Sequence, residues 1–362
     1  MSRRSFLTRS AVGATAGVAL AAPAIVRAQP TLRWRMASSF PKSLDALFGG
    51  AELFAQRVAA LTGNKFQISV HAAGEIVPAL QVLDAVQQGN IEMGHTALYY
   101  FFGKDPSWSV ATAIPFGLNT RQYNAWWHQL GGEKVFNEFA GKAAGVTAFL
   151  CGNTGAQMGG WFRREVNSLD DLKGLKFRIA GFAGQVLSRL GVVPQQLPGG
   201  DIYPALEKGT IDAAEWVNPY DDEKLGFAKV AKFYYSPGWW EGSAAFHAIV
   251  NNKALATLPP EYRAALEAAA HESYSYTTAR YDAQNPQAIK RLVGAGTQLK
   301  QFPRPVLEAA YKVTQEVYAE TAAKNADFKR LHDHYFSAQR DMVQWSRVTE
   351  NAFDDFMASI KR

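Results

Sequence analysis

Hydrophobic and polar positions follow two periods along this chain. Leu32-Arg33-Trp34-Arg35-Met36 and Phe66-Gln67-Ile68-Ser69-Val70 change character at every residue, as half-buried strands do. Between them Leu44, Leu47, Ala51, Phe54 and Val58 recur at three- and four-residue steps, which predicts a helix over 41–60. A second helix is expected over 80–88, stopped by Gly89, with a third strand starting at Ile91-Glu92-Met93. Strands alternating with helices specify a parallel sheet with helices on its faces.

The pattern then recurs. Ala85-Val86-Gln87-Gln88-Gly89-Asn90-Ile91-Glu92 matches Ala205-Leu206-Glu207-Lys208-Gly209-Thr210-Ile211-Asp212. In each, a helix stops at a glycine able to take the left-handed cap conformation, and the chain turns into a strand. Residues 74–80 also resemble 200–206, at a different offset. Two α/β halves of similar build are the simplest account. Pro259-Pro260-Glu261 opens a long helical region, with a break expected near Asn285-Pro286. A strand over 299–303 and a helix over 305–324 follow. The tail carries Phe328, Leu331, Tyr335, Met342, Trp345, Thr349, Phe356 and Ile360 at helical spacing, with an interruption expected near Ser337. That stripe either docks on its own subunit or buries itself on a second copy.

The run from Lys176 to Asp221 holds the candidate chemistry. A short apolar strand carries Arg178, a permanently charged fork suited to a carboxylate. The strand Thr210–Ala214 leads into Glu215-Trp216-Val217-Asn218-Pro219, which offers hard oxygens, an apolar wall and an amide. The inventory fits a small anion, with or without a cation, at the ends of strands.

Ser2-Arg3-Arg4-Ser5-Phe6-Leu7, an Ala/Gly-rich stretch and Val26-Arg27-Ala28 read as a twin-arginine export signal over 1–28, cleaved after Ala28. Those residues hold four arginines and no acid, so the formal charge falls from +6 to +6 − 4 = +2. Nothing in that balance calls for nucleic acid. Cys151 is alone, so no internal disulfide forms. An exported enzyme is the competing class. The chain has no GxSxG elbow, P-loop, HExxH or CxxC, and the His332/His334 spacing splits that pair across a helix.

Together the SLDDLKGLKFR run at 168–178, the EKGTIDAAEW run at 207–216 and the export signal carry a family resemblance. The chain resembles the DctP-type substrate-binding subunits of TRAP (tripartite ATP-independent periplasmic) transporters over essentially its whole mature length. Gln157 in NTGAQMGGWF, Glu215-Trp216 and Trp239-Trp240-Glu241-Gly242 point to the branch that binds 2-oxo and 2-hydroxy monocarboxylates with a metal ion. The resemblance implies an α/β, two-lobed periplasmic solute-binding fold, each lobe a mostly parallel sheet flanked by helices, with a C-terminal helical extension. The first lobe would take residues 29–152 with part of 240–300 returning to it, the second 153–239, and the extension 304–362.

By the same resemblance Arg178 grips the ligand carboxylate and Asn218 supports it. Gln157 touches carboxylate and cation. Glu215, Glu241 and the Trp216 carbonyl coordinate a calcium or sodium ion, and Tyr99 or Tyr100 donates to the 2-oxygen. Trp216 and Trp240 are the expected apolar walls. The implied protein is periplasmic and not an enzyme. It has no organic cofactor, and small and large membrane subunits are its partners. A binding sensor for a signalling receptor shares the fold. The particular acid, calcium against sodium, and monomer against dimer stay open.

Overall fold

The computed structural model describes residues 30–360, so the export signal lies outside the described residues. The strands, in chain order, are β1 Leu32–Ser38, β2 Phe66–His71, β3 Met93–Thr96, β4 Val146–Asn153, β5 Gly160–Phe162, β6 Lys176–Arg178, β7 Val193–Gln195, β8 Ala213–Ala214, β9 Phe233–Ser236, β10 Ala245–Asn251 and β11 Gln298–Gln301. They form two sheets, ordered β2-β1-β3-β10-β4 and β11-β9-β5-β8-β6-β7. Each is mixed. In the first, β1 runs parallel to β2 and β3, while β10 is antiparallel to β3 and β4. In the second, β6 and β9 have parallel partners and β5 is antiparallel to both neighbours. The chain leaves the first sheet after β4 and returns to it before β10, so the two sheets share two crossing segments.

Helices cover both sheets: α1 Leu47–Leu61, α2 Val82–Gln87, α3 Thr120–Gln129, α4 Gly132–Ala144, α5 Gly181–Arg189, α6 Gly199–Glu207, α7 Pro219–Leu225, α8 Asn252–Ala256 and α9 Pro260–Gly294. The expected apolar face of α1 is buried throughout, although the helix opens only at Leu47, after turns over 42–46. The internal repeat is exact in its hydrogen bonds. Asn90 and Ile91 N–H both reach the Ala85 carbonyl beyond Gly89, and Thr210 and Ile211 N–H both reach that of Ala205 beyond Gly209. Both glycines sit at positive φ, 75° and 71°. The upstream match is not structural: Pro78 precedes a short 3₁₀ turn, whereas Pro204 lies inside α6.

Two further expectations fail. Pro286 does not break α9, which runs unbroken for 35 residues. Its missing hydrogen bond is tolerated because the helix is held along its length: Tyr262, Leu266, Ser273, Thr277 and Tyr281 are buried, and Asn285 accepts from the Tyr220 N–H at 3.0 Å. The tail is not interrupted near Ser337. It forms α10 Arg304–Lys324, α11 Ala326–Val348 and α12 Glu350–Ser359, with the break at Thr349. Phe328, Leu331 and Tyr335 are buried in this subunit, and the Tyr335 hydroxyl accepts from the Leu118 N–H at 2.7 Å. Trp345, Phe353 and Phe356 are 62–64% exposed. The stripe therefore docks on its own subunit over its first half only.

Candidate ligand-binding site

The site forms where the strand ends of the two sheets meet. β6 ends on Arg178, and β8, its parallel neighbour, runs straight into Glu215. Adjacent parallel strands thus deliver both side chains to one sheet edge. Asn218 closes the same turn ahead of Pro219, which starts α7. Gln157 comes from the first crossing segment and Glu241 from the second. Tyr99 and Tyr100 arrive from a 3₁₀ turn after β3. All eight of these side chains, Trp216 included, are less than 9% exposed.

Arg178 is fully buried. Its Nη1 donates to the Glu215 carboxylate at 3.0 Å and to the Glu215 carbonyl at 2.5 Å, and its Nε donates to the Leu197 carbonyl at 3.2 Å. The guanidinium lies 4.9 Å from the Trp216 ring centre. Its partner is thus the same glutamate that the resemblance assigned to a cation. Burial pushes the Glu215 carboxyl well above the ordinary range, with the Glu241 charge adding to the effect and Arg178 opposing it. Burial also raises Glu241, against the pull of Arg178, Gln157 and Glu215. Burial keeps both tyrosines protonated, Tyr100 up to about 12, so each presents a hydroxyl donor.

The unpartnered atoms decide what the site suits. Gln157 Oε1, Glu215 Oε1, Asn218 Oδ1 and Glu241 Oε2 are buried acceptors with no donor, and Arg178 Nη2 and Trp216 Nε1 are buried donors with no acceptor. Buried polar groups of this kind are costly unless something meets them. A hard cation takes oxygens of this set, and an anion takes the guanidinium. Among the described residues no three His, Cys, Asp or Glu side chains gather as metal ligands, so any cation here must use amide and carbonyl oxygens as well.

Phe40, Tyr99, Tyr100, Thr154, Gln157, Trp216 and Phe246 line the cavity. It leaves about 10 Å³ for the centre of a water molecule, the space of roughly one water. A larger guest requires the walls to part. Arg178, Glu215, Asn218 and Glu241 lie outside this wall, and so does Trp240. This ring packs on Phe177, Trp239 and Phe302 in the core of the second sheet.

Sequence reasoning missed three supports. Thr154 holds the amides of Gln157 and Asn218. Asp222 receives Trp161, Tyr234 and the Val217 N–H, which fixes the loop carrying Asn218. Asp45, ahead of α1, binds Tyr220, Lys224 and Arg280 across the cleft. Only Thr154 carried a signal, standing three residues before Gln157.

The model of the bacterial extracellular solute-binding protein family 7, DctP, matches residues 37–325. The chain is 46% identical to a monocarboxylate 2-oxoacid-binding periplasmic protein of Nostoc sp., over 99% of this chain and 100% of that one. A TRAP transporter solute-binding protein from Bordetella bronchiseptica, solved as a mixed-occupancy dimer with copurified calcium and picolinate, is 50% identical with a TM-score of 0.89, over 91% of this chain and 98% of that one. A TRAP periplasmic solute-binding protein from Pseudoalteromonas atlantica, with bound sodium and pyruvate, is 33% identical with a TM-score of 0.87, over 91% of this chain and 100% of that one.

Proposed function

The chain belongs to the DctP family of bacterial extracellular solute-binding proteins, and from that premise we propose that it captures a small 2-oxo or 2-hydroxy monocarboxylate together with calcium or sodium. The observation that carries this reading is the mismatch of unpartnered atoms, four acceptor oxygens against two donors, the Arg178 Nη2 and the Trp216 indole N–H. An anion alone satisfies Arg178 and leaves the oxygens unmet. A cation held by Gln157, Glu215, Glu241 and the Trp216 carbonyl answers the oxygens and offers its remaining coordination to the same anion.

In this reading Arg178 turns its free Nη2 to the ligand carboxylate, and Tyr99 or Tyr100 donates to the 2-oxygen. Asn218 supports the carboxylate and has an oxygen to offer besides. One N–H of its Nδ2 serves the Thr154 carbonyl at 2.9 Å, which leaves the second N–H for the ligand carboxylate and the unpartnered oxygen for a cation or a ligand hydroxyl. Trp216, Phe40 and Phe246 exclude water and strengthen the polar grips.

The narrow cavity fits a receptor whose lobes part to admit the acid and close on it, residues 29–152 forming one lobe with the returning β10 and 153–239 the other. The closed form is then the one that small and large TRAP membrane subunits recognise. Residues 1–28 direct export to the periplasm by the twin-arginine route. The protein acts as a binder, with no catalytic residue in the site. The exposed half of the tail pairs two copies into a dimer.

The test is calorimetry on chelated, sodium-free protein. Pyruvate is titrated with and without added calcium chloride. Binding that needs the cation supports the reading, and unchanged affinity without any cation sinks it.

A further inference from the structure

Thr154 follows β4 where the chain leaves the first sheet, and it faces Ala244, the residue before β10 returns. Its N–H donates to the Ala244 carbonyl at 3.0 Å, and the Ala244 N–H donates to its hydroxyl at 2.9 Å. The hydroxyl has a single proton, which the Gly155 carbonyl takes at 3.1 Å. Any further neighbour of that oxygen must be a donor. Gln157 meets it with one N–H of Nε2 at 3.0 Å, Glu241 draws on the same amide nitrogen, and Oε1 is left with no partner. The Thr154 carbonyl imposes the same choice on Asn218, since a carbonyl only accepts. One buried residue at the crossing of the two sheets thus takes an N–H from each of two amides whose oxygens are both left without a partner.

We propose that Thr154 is a positioning residue that sets the site's preference for a cation-linked anion over a bare anion. The inference rests on the binding reading above and deepens it. A Gln157 amide turned the other way would present N–H groups, which receive a carboxylate directly and oppose a cation. That turn would make the threonine hydroxyl give up the Gly155 carbonyl to serve Oε1, so the present arrangement opposes it. The substitution Thr154→Val removes the restraint on Gln157 while Asn218 keeps its backbone partner.

Calcium chloride titrated into chelated wild type, T154V and T154S tests this, followed by pyruvate with and without calcium. Thermal unfolding in chelator reports the fold of each. T154V is expected to bind calcium at least about tenfold more weakly, and the dependence of its pyruvate affinity on calcium is expected to shrink. T154S is expected to stay within about threefold of wild type. In a Gln157→Ala background, T154V should add little, because the cycle isolates the coupling between the two residues. Valine also leaves the Ala244 N–H unpaired, so T154S carries the test if T154V does not fold. A folded T154S that loses calcium binding overturns the proposal, as does a folded T154V that matches wild type or loses equally in both backgrounds. A wild type that binds neither calcium nor pyruvate overturns the binding reading itself, and the role of Thr154 with it.

Discussion

Arg178 spends one nitrogen on Glu215 and leaves another free. Nη1 donates to both the carboxylate and the carbonyl of Glu215, while Nη2, equally buried, meets no acceptor. The glutamate so fixes the guanidinium that its unused edge stays presented to the site. The pair is also vulnerable, because losing either partner leaves a buried charge uncompensated.

Replacing Arg178 by Ala is therefore expected to act twice. Pyruvate affinity in calcium should fall by about 3–5 kcal/mol, since a buried anion loses its partner. The ligand-free protein should also melt lower, because Glu215 keeps its burial without its cation. Arg178→Lys keeps the charge but not the fork, and should fall between the two. Calorimetry showing R178A within threefold of wild type would rule out the assignment.

The second prediction concerns pH. Glu215 and Glu241 both hold protons more tightly in the folded chain than in the unfolded one. Their contribution to the stability of the cation-free protein is full while both are protonated, below the ordinary carboxyl range. It is lost as pH rises through the raised folded values. A bound cation takes the place of the proton, so its effect runs the opposite way. The melting shift caused by calcium should be small near about pH 5.5 and larger near about pH 8. His95 and His247, held by burial down to about 3, add a separate slope. Their stabilisation is complete above the ordinary histidine range and fades as pH falls. Comparing melts with and without calcium at each pH cancels that slope. A calcium shift independent of pH would mean that the two carboxyls do not receive the ion.

The fold was legible where periodicity and backbone chemistry act locally. Gly89 and Gly209 marked two helix ends that share the same hydrogen bonds, and the apolar face of α1 lies where its spacing put it. Pro286 misled because a helix break is a local cost, and burial along α9 outweighs it. In the site, Arg178 and Glu215 were legible as neighbours because parallel strands β6 and β8 end together. Trp240 was misplaced because a tryptophan beside a ligand residue reads alike whether its ring faces the cleft or the core. Asp45 gave no sign, since its partners stand 175 or more residues away.

Asp45 leads to the third prediction. It precedes α1 over the first sheet, and it binds Tyr220 and Lys224 on α7, beside the second sheet, together with Arg280 on α9. Burial opposes its charge, yet Lys224, Arg280 and Tyr220 hold the carboxyl down to about 2. The groups are partly exposed, so solvent screening limits the network to roughly 1 kcal/mol. Asp45→Asn should therefore speed pyruvate release by up to about fivefold, with association little changed. Stopped-flow tryptophan fluorescence reads both rates. High salt should shrink the difference between variant and wild type. An unaltered release rate would mean that the latch does not hold the closed form.

The last prediction concerns the tail. Truncation after Asn325 would strip Phe328, Leu331 and Tyr335 from the core and would confuse folding with assembly. The informative cut falls after Thr349, where α11 ends and α12 begins. It removes Phe353 and Phe356, which are 63% and 62% exposed in this subunit. Trp345 and Val348, on the last turn of α11, are exposed as well, so Trp345→Ser completes the variant. Apolar rings of this size, open to solvent at the end of one chain, are the kind of surface that a second copy buries. Light scattering at tens of micromolar should give a dimer for the full chain and a monomer for the cut variant. Pyruvate affinity should be unchanged, because none of the removed residues lines the cavity. A full chain that already runs as a monomer would remove the dimer and leave the binding site untouched.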